Sequence, residues 1–509
     1  MWRPIRRSDW DVEKAAHLLA RTGFGPTNAE IEAAAARAPE EVVAELLDFE
    51  HTPDPWEDPA WAVTEDASVR PGTRLHLEGL SYEEQMKQVH PMERAEVEHV
   101  HELRAWWLAR MRATKRPLQE KLVLFWHGHW TTSAKKVLAA YALWLQNCTL
   151  RRFAAGNFKE MTHALTQDPA MMYFLDVNRN RAKAPNENFA RELMELYTLG
   201  IGRYSEDDVV ASARAFTGWR VDLKRIAFRE VPSERDNGDK VFMGRKGAFT
   251  PREIVDIIFE HPAMGVHLVR KLWAFFAYEE PESALVDELA ASFRASGFEL
   301  KPLLARMFQS EAFYSPRALH TQIKSPVQWL VGTTRAFEAP LPDADTCAWM
   351  LRVLGQELFE PPSVAGWDGD RAWITAHTLL SRYNFAGLLI KGGKLLAETF
   401  PELLEKAPAE KPGEKDARAE NHAGRVGFTM PRIQPLVDGQ RLLPADQRAS
   451  RQSALAFLAW RLFRAQLPAA EEATLLECVS ALPEPAEWSD EDVRTLVHAL
   501  MSTPSFQLT

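Results

Sequence analysis

Cysteine is nearly absent from this sequence. Three cysteines, Cys148, Cys347 and Cys478, are spread over 509 residues. They form no CxxC pair and no Cys/His zinc spacing, so the sequence carries no motif for a thiolate metal site or a redox dithiol. An odd, sparse count builds no disulfide framework and fits a reducing compartment. Long apolar runs are missing too: no window reaches the roughly 20 apolar residues a membrane-spanning helix needs. Positive charge is not in excess. The 61 Lys and Arg are outnumbered by 71 Asp and Glu, for a net charge of -10. A global attraction to nucleic acid is therefore excluded, and no nucleic-acid partner is expected. The first residues, "MWRPIRRSDWDVEKAAHLLARTGFG", follow their arginines with Asp9, Asp11 and Glu13 instead of an apolar core. They do not read as a secretory signal, and the chain as written reads as cytoplasmic. No GxSxG elbow, P-loop, GxGxxG before a helix, HExxH or CxxCH occurs, which removes the reactions those motifs carry.

Helical periodicity dominates what remains. In "DVEKAAHLLART", Val12, Ala15, Ala16 and Leu19 recur at i, i+3, i+4 and i+7. Gly23 and Gly25 end that helix, and Thr27 opens the next. Similar patterns run along most of the chain, including 117–128, 186–199 and 264–277. Strand signal is confined to "RVDLKRIAFREV" and "KVFMG", set around the turn-rich "PSERDNGD". The expected fold is mostly α: a large multi-helix domain with a small β-hairpin insertion near 219–245 and a helical C-terminal tail domain. Residues 404–424, "EKAPAEKPGEKDARAENHAGR", are charged and hold almost no large apolar group. They cannot bury enough to offset ordering, so they read as a flexible linker between a main domain over 1–403 and a C-terminal helical subdomain over 425–509. "EMTHALTQDPA" and "TLVHALMSTPS" share a helix–break pattern that puts His163 and His498 in the same slot, among apolar neighbours, where both read as structural.

Three constellations could carry chemistry. The first is "LVLFWHGHW". Residues two apart on a helix point about 200° away from each other, so His127 and His129 could not share an ion on a continuous helix. Gly128 between them can adopt a left-handed conformation that ends the helix and lets both imidazoles converge. The alternative is that the two histidines close a helix end by bonding its free carbonyls. The second is "APNENFARELMELYTLG". Asn186 reads as its N-cap, Glu187 pairs with Arg191, and Asn188, Glu192 and Glu195 share one flank of an apolar stripe. A carboxylate row beside a core is costly unless paired or metal-bound; the competing reading is a salt-bridge network with Arg191 or Arg214. The third is "SVAGWDGDRAWITAHTLLSRYNF", where Trp367, Asp368 and Gly369 make a turn and Trp373, His377 and Arg382 follow. With 17 tryptophans in the chain, it could wall an aromatic cleft for a sugar or a quinone, or pack as ordinary indole anchors.

A longer pattern joins these stretches. "HLLARTGFGPT", "LVLFWHGHW", "DPAMMYFLDVNRNRAKAPNENFARELMELYTLGIGRYSEDDVVASARAFTGW", "HPAMGVHLVRKLWAFF", "IKSPVQW" and "VAGWDGDRAWITAHTLLSRYNFA" together resemble the bacterial family catalogued as domain of unknown function 1800, over a core of about residues 14–390. The resemblance implies no established activity. It implies export, because members are often exported, in contrast to the cytoplasmic reading of this N-terminus. It also implies a His-Asp pair in the β insertion; here Asp236 and Lys240 are kept, but Arg235 stands where the family would place histidine.

Two functional readings follow. The first is a metal-assisted or general acid–base enzyme of unknown substrate. Its pocket would join His127, His129, Glu192 and Glu195, as ligands of a divalent metal or as proton carriers, with Arg191 as charge partner. The second is a non-catalytic helical scaffold that docks a partner protein. The partner is accordingly a small molecule in one reading and a protein in the other.

Overall fold

The long helix Tyr82–Ala113 opens on a Ser81 cap and ends at Thr114. The next helix, Pro117–His129, is buried along nearly all its length, its polar Gln119, Glu120, Lys121, His127 and His129 included. Pro117 opens it at a position where the missing N–H is not needed. Its one early acid, Glu120, is wholly buried and held by Arg110 Nε at 2.7 Å, Arg151 Nε at 2.6 Å and Trp107 Nε1 at 3.0 Å. Burial would raise this carboxyl, but Arg151 and Arg110 hold it below its ordinary range. The ion network therefore fixes the helix against Tyr82–Ala113 and Ala140–Arg152.

The computed structural model describes residues 2–66, 70–72, 80–222, 224–392, 435–436 and 438–509. Helix makes up 60% of the protein. Among the described residues, strand is confined to two antiparallel two-stranded ribbons, Trp219–Asp222 with Ala227–Glu230 and Lys240–Phe242 with Arg245–Gly247. The mostly α reading holds. The β insertion is two hairpins, because "RVDLKRIAFREV" pairs with itself: Val221 lies opposite Phe228, and "KVF" finds its own partner in "RKG". Lys240 has a buried side chain whose Nζ donates to the Asp236 and Gly238 carbonyls, both at 2.8 Å, while Asp236 binds Arg214 Nε at 2.7 Å. These residues of the insertion fix its loop.

The chain forms two compact units. One contains Met1–Ala336, Gly355–Trp373 and Leu508–Thr509; the other contains Phe337–Leu354 and Ile374–Gln507. The second unit is built from helices Ala344–Val353, Ala376–Lys391, Arg451–Phe463, Ala469–Cys478 and Asp490–Met501. Residues 337–354 and 374–392, inside the span read as the main domain, thus group with the C-terminal helices. The charged segment 404–424 lies outside the described residues. Among those described, no helix is long and apolar enough to cross a membrane.

Candidate functional site: a cleft beside His129

The helix Pro117–His129 does not stop at Gly128. It runs through His129, and the chain turns at Trp130, with φ -101° and ψ 67°. Gly128 is not among the residues with positive φ. The expected convergence of the two imidazoles is therefore corrected: on a continuous helix they point apart. His127 Nε2 accepts the Phe359 N–H at 3.0 Å, and the ring packs edge-on against Trp107 and Phe359. Burial, with a smaller push from Arg104, lowers it to about 3. His129 faces the other way. Its Nε2–H donates to the Tyr197 carbonyl at 3.1 Å, while its Nδ1 is buried with no partner. The two rings are both neutral and hold opposite tautomers, fixed by a donor on one side and a carbonyl on the other. His163 and His498 are spent on architecture, bonding Asp256 and the Tyr383 carbonyl.

The acidic helix is also spent, apart from one group. It begins at Asn188, where Asn186 Oδ1 accepts the Asn188 N–H at 3.0 Å. It then widens into a π turn over Leu193–Thr198, which shifts the register of everything after Glu192. Arg191 makes a forked pair with Glu206 at 2.8 and 2.7 Å and reaches Glu187 at 3.3 Å. Glu195 accepts the Tyr204 hydroxyl. Glu192 is half-buried, its carboxyl raised by burial and by Glu195. His129 touches this helix through the Tyr197 backbone. Among the described residues, no group of three or more His, Cys, Asp and Glu side chains could hold a metal ion.

His129 instead belongs to a cleft of about 320 Å³, to which His127, Arg191, Glu192 and Glu195 contribute no lining. One wall is the Leu124–His129 face of the helix. The second is the helix Val266–Phe276, which presents Lys271 and Phe275. The third is the loop through Trp367, Asp368, Asp370 and Trp373. Besides the bonds that Glu360 accepts from the Ser133 hydroxyl and the Lys135 N–H, four contacts hold that loop at the helix end. Besides the Phe359–His127 bond, the Ala134 N–H donates to the Phe359 carbonyl at 2.8 Å and the Thr131 hydroxyl to the Val364 carbonyl at 2.6 Å. The fourth is Gly366, at φ +89°, which lies so close that a Cβ there would come 2.2 Å from the Gly128 carbonyl oxygen. The structure thus brings the first and third constellations of the sequence together and leaves the second outside.

The cleft walls hold polar groups without internal partners. His129 Nδ1 and Gln322 Oε1 are buried acceptors with no donor, and Trp367 Nε1 is a buried donor with no acceptor. Lys271 makes no hydrogen bond or ion pair among the described residues, and burial alone lowers its amine to about 8. Glu279 at the rim is raised by burial and by Asp370. Asp370 sits at φ 35° and accepts the Ile323 N–H at 3.1 Å. Stranded buried polar groups cost free energy, and positive φ at a non-glycine stores backbone strain that concentrates at functional sites. A second cleft of about 280 Å³ contrasts with it. Its arginines are paired internally, Arg37 with Glu45 and Arg335 with Glu30 and the Gly25 carbonyl.

Lys271, Glu279, Asp370 and Gln322 were not singled out by sequence reasoning. One signal was available for Lys271: it stands four residues from both His267 and Phe275, so a charge falls on an aromatic stripe of the apolar helix "VHLVRKLWAFF".

A mostly α protein with a small, partly enclosed cleft of acid–base groups is the class this geometry defines. The chain belongs to the family described as "Protein of unknown function (DUF1800)", whose model matches residues 17–508. No curated protein and no solved structure matches it.

Proposed function

We propose that this protein is an acid–base enzyme acting on a small polar molecule in the cleft beside His129. His129 Nδ1 serves as a hydrogen-bond acceptor and Trp367 Nε1 as a hydrogen-bond donor that orient the ligand, Lys271 supplies an amine, and Glu279 with Asp370 is the carboxyl pair that moves protons at the rim. The observation that carries the reading is the set of unpartnered polar atoms spread over the cleft's walls, with donors and acceptors both present. A volume of about 320 Å³ is at the small end for ligand sites, which favours a compact substrate. The metal-assisted form of this reading loses its support, because His127 and His129 face opposite ways and each has its Nε2 engaged by backbone.

The test is ligand-observed NMR with small aldehydes, ketones, hydroxy acids and monosaccharides, on the full chain and on Trp367→Ala and His129→Ala. Saturable binding to the wild type that weakens in both variants is expected. Binding that neither variant changes, or no binding by any compound, would sink the reading.

The scaffold reading is favoured by a separate observation: His127, Arg191 and Glu195 are all consumed by internal contacts. It predicts that none of these small molecules binds.

A further inference from the structure

Lys271 differs from the other groups in the cleft, because it is a nucleophile with no internal partner. It projects from the helix Val266–Phe276, is partly buried, and has no carboxylate or carbonyl bonded to it among the described residues. Two neutral histidines face it, His129 from the facing helix and His267 from its own. His267 cannot serve as its acceptor through Nε2, which is engaged with the Leu196 carbonyl at 3.0 Å. The cleft's carboxyl groups, Glu279, Asp368 and Asp370, lie on the rim. An ammonium without a counter-ion in such a place is held there at a cost, and it sheds its proton more easily than a solvated lysine.

We propose that Lys271 is the covalent nucleophile of this cleft, its side-chain amine condensing with the carbonyl of a small aldehyde or ketone to form a Schiff base. This rests on the reading that the cleft binds a small molecule. In the first step the Nζ lone pair attacks the carbonyl carbon, and the C=O π pair moves to oxygen. A proton passes from nitrogen to that oxygen, giving a neutral carbinolamine. In the second step a rim carboxyl protonates the hydroxyl, which leaves as water while the nitrogen lone pair forms the C=N bond. The product is a protonated imine, and hydrolysis reverses both steps. No oxidant or reductant is consumed. Desolvated lysines in apolar pockets are suited to this chemistry because the free amine is available near neutral pH. Glu279, raised by burial and by Asp370, keeps its proton to a higher pH than an ordinary glutamate.

The test is reductive trapping. The full chain is incubated with glycolaldehyde, which is neutral, or pyruvate, which is anionic, together with cyanoborohydride. The adducts are then located by peptide mass mapping. Lys271 is expected to be labelled about tenfold or more faster than the surface lysines at pH 7.5, since an ordinary lysine stays protonated up to about pH 10.4. Its labelling should level off above about pH 8 while that of the surface lysines still climbs. Lys271→Arg should remove this adduct alone. Labelling of Lys271 in the folded wild type no faster than that of the surface lysines overturns the proposal, and this measurement does not depend on any variant folding. Small-molecule binding that persists without fast labelling would leave the cleft reading standing and remove the covalent role. Absence of both would remove the two together.

Discussion

His127 and His129 are two residues apart and do opposite jobs. His127 is an acceptor for one backbone N–H, and among the described residues no other acceptor bonds that group. His127→Ala leaves the Phe359 N–H buried and unpaired and removes the ring from between Trp107 and Phe359. A loss of about 1 to 3 kcal/mol is expected for the stranded donor, read as a lower urea midpoint, with cleft binding retained in the molecules that stay folded. His127→Gln, which keeps an acceptor, should recover part of the loss. A His127→Ala protein of unchanged stability, or one that is folded but no longer binds in the cleft, would contradict this division of labour. The sequence marks both histidines as notable through their type and neighbours. Which way each ring points was not legible, because that depends on whether the helix continues through Gly128.

At the scale of elements, what makes the site is the docking of the 359–373 loop on the end of the helix Pro117–His129. Two glycines meet there, and they predict opposite outcomes. Gly128 is helical, with a non-positive φ, and a Cβ would meet only Trp367 Cε3 at 3.9 Å. Gly128→Ala should stabilise the protein by about 0.5 to 1 kcal/mol through helix propensity, while adding a methyl to the cleft wall and weakening ligand binding. Gly366→Ala meets a carbonyl oxygen at 2.2 Å and a φ of +89°, so the loop must move. It should destabilise by more than 1 kcal/mol and release Trp367 from its position. Thermal melts on the two variants read the sign directly, and a Gly366→Ala protein as stable as wild type would show that the loop is not clamped. The helices were legible element by element, since their apolar periodicity survives any neighbour. The π turn at Leu193–Thr198 was not. "RELMELYTLG" has the same pattern whether its carbonyls bond four or five residues on, and Thr198, whose hydroxyl bonds the Leu193 carbonyl at 2.6 Å, gives no signal of its own. Nor could spacing tell that the β insertion closes as two hairpins, because register is decided by which strand lies opposite.

For the whole molecule, the mostly α class was readable because it is a sum of local patterns. The grouping of 337–354 with 374–507 was not, since it is set by contacts far apart in sequence. The cleft has the same character: its walls come from residues near 124–129, 271–279, 322–328 and 356–373, and only two of those stretches drew notice by composition. The buried titratable groups of the larger unit have a collective consequence that a pH series measures. His17, His127, His129 and His267 are all held neutral mainly by burial, His127 at about 3 and His267 at about 4. An unfolded histidine titrates near 6.5. Between those values the unfolded chain binds protons that the folded chain refuses, so each histidine withdraws stability as pH falls from about 6.5. Glu96 and Asp168 act the other way. Burial raises both carboxyls to about 7, so the folded chain holds protons that the unfolded chain releases, and stability falls as pH rises from about 4.5 through 7. The four histidines outweigh the two carboxyls, so protons are taken up on unfolding near pH 5.5, each worth about 1.4 kcal/mol per pH unit. Urea unfolding between pH 5 and 8 should therefore show stability rising from pH 5 to about 6.5 and flattening near 7. Glu96→Gln combined with Asp168→Asn keeps an acceptor for the Ala140 and Met171 N–H groups while removing the opposing titration. That protein should lose stability more steeply on the acid side and lose the flattening near neutrality. A wild type that gains stability as pH falls from 6.5 to 5 would mean that these histidines are not neutral in the folded chain, and the tautomers assigned to His127 and His129 would fall with them.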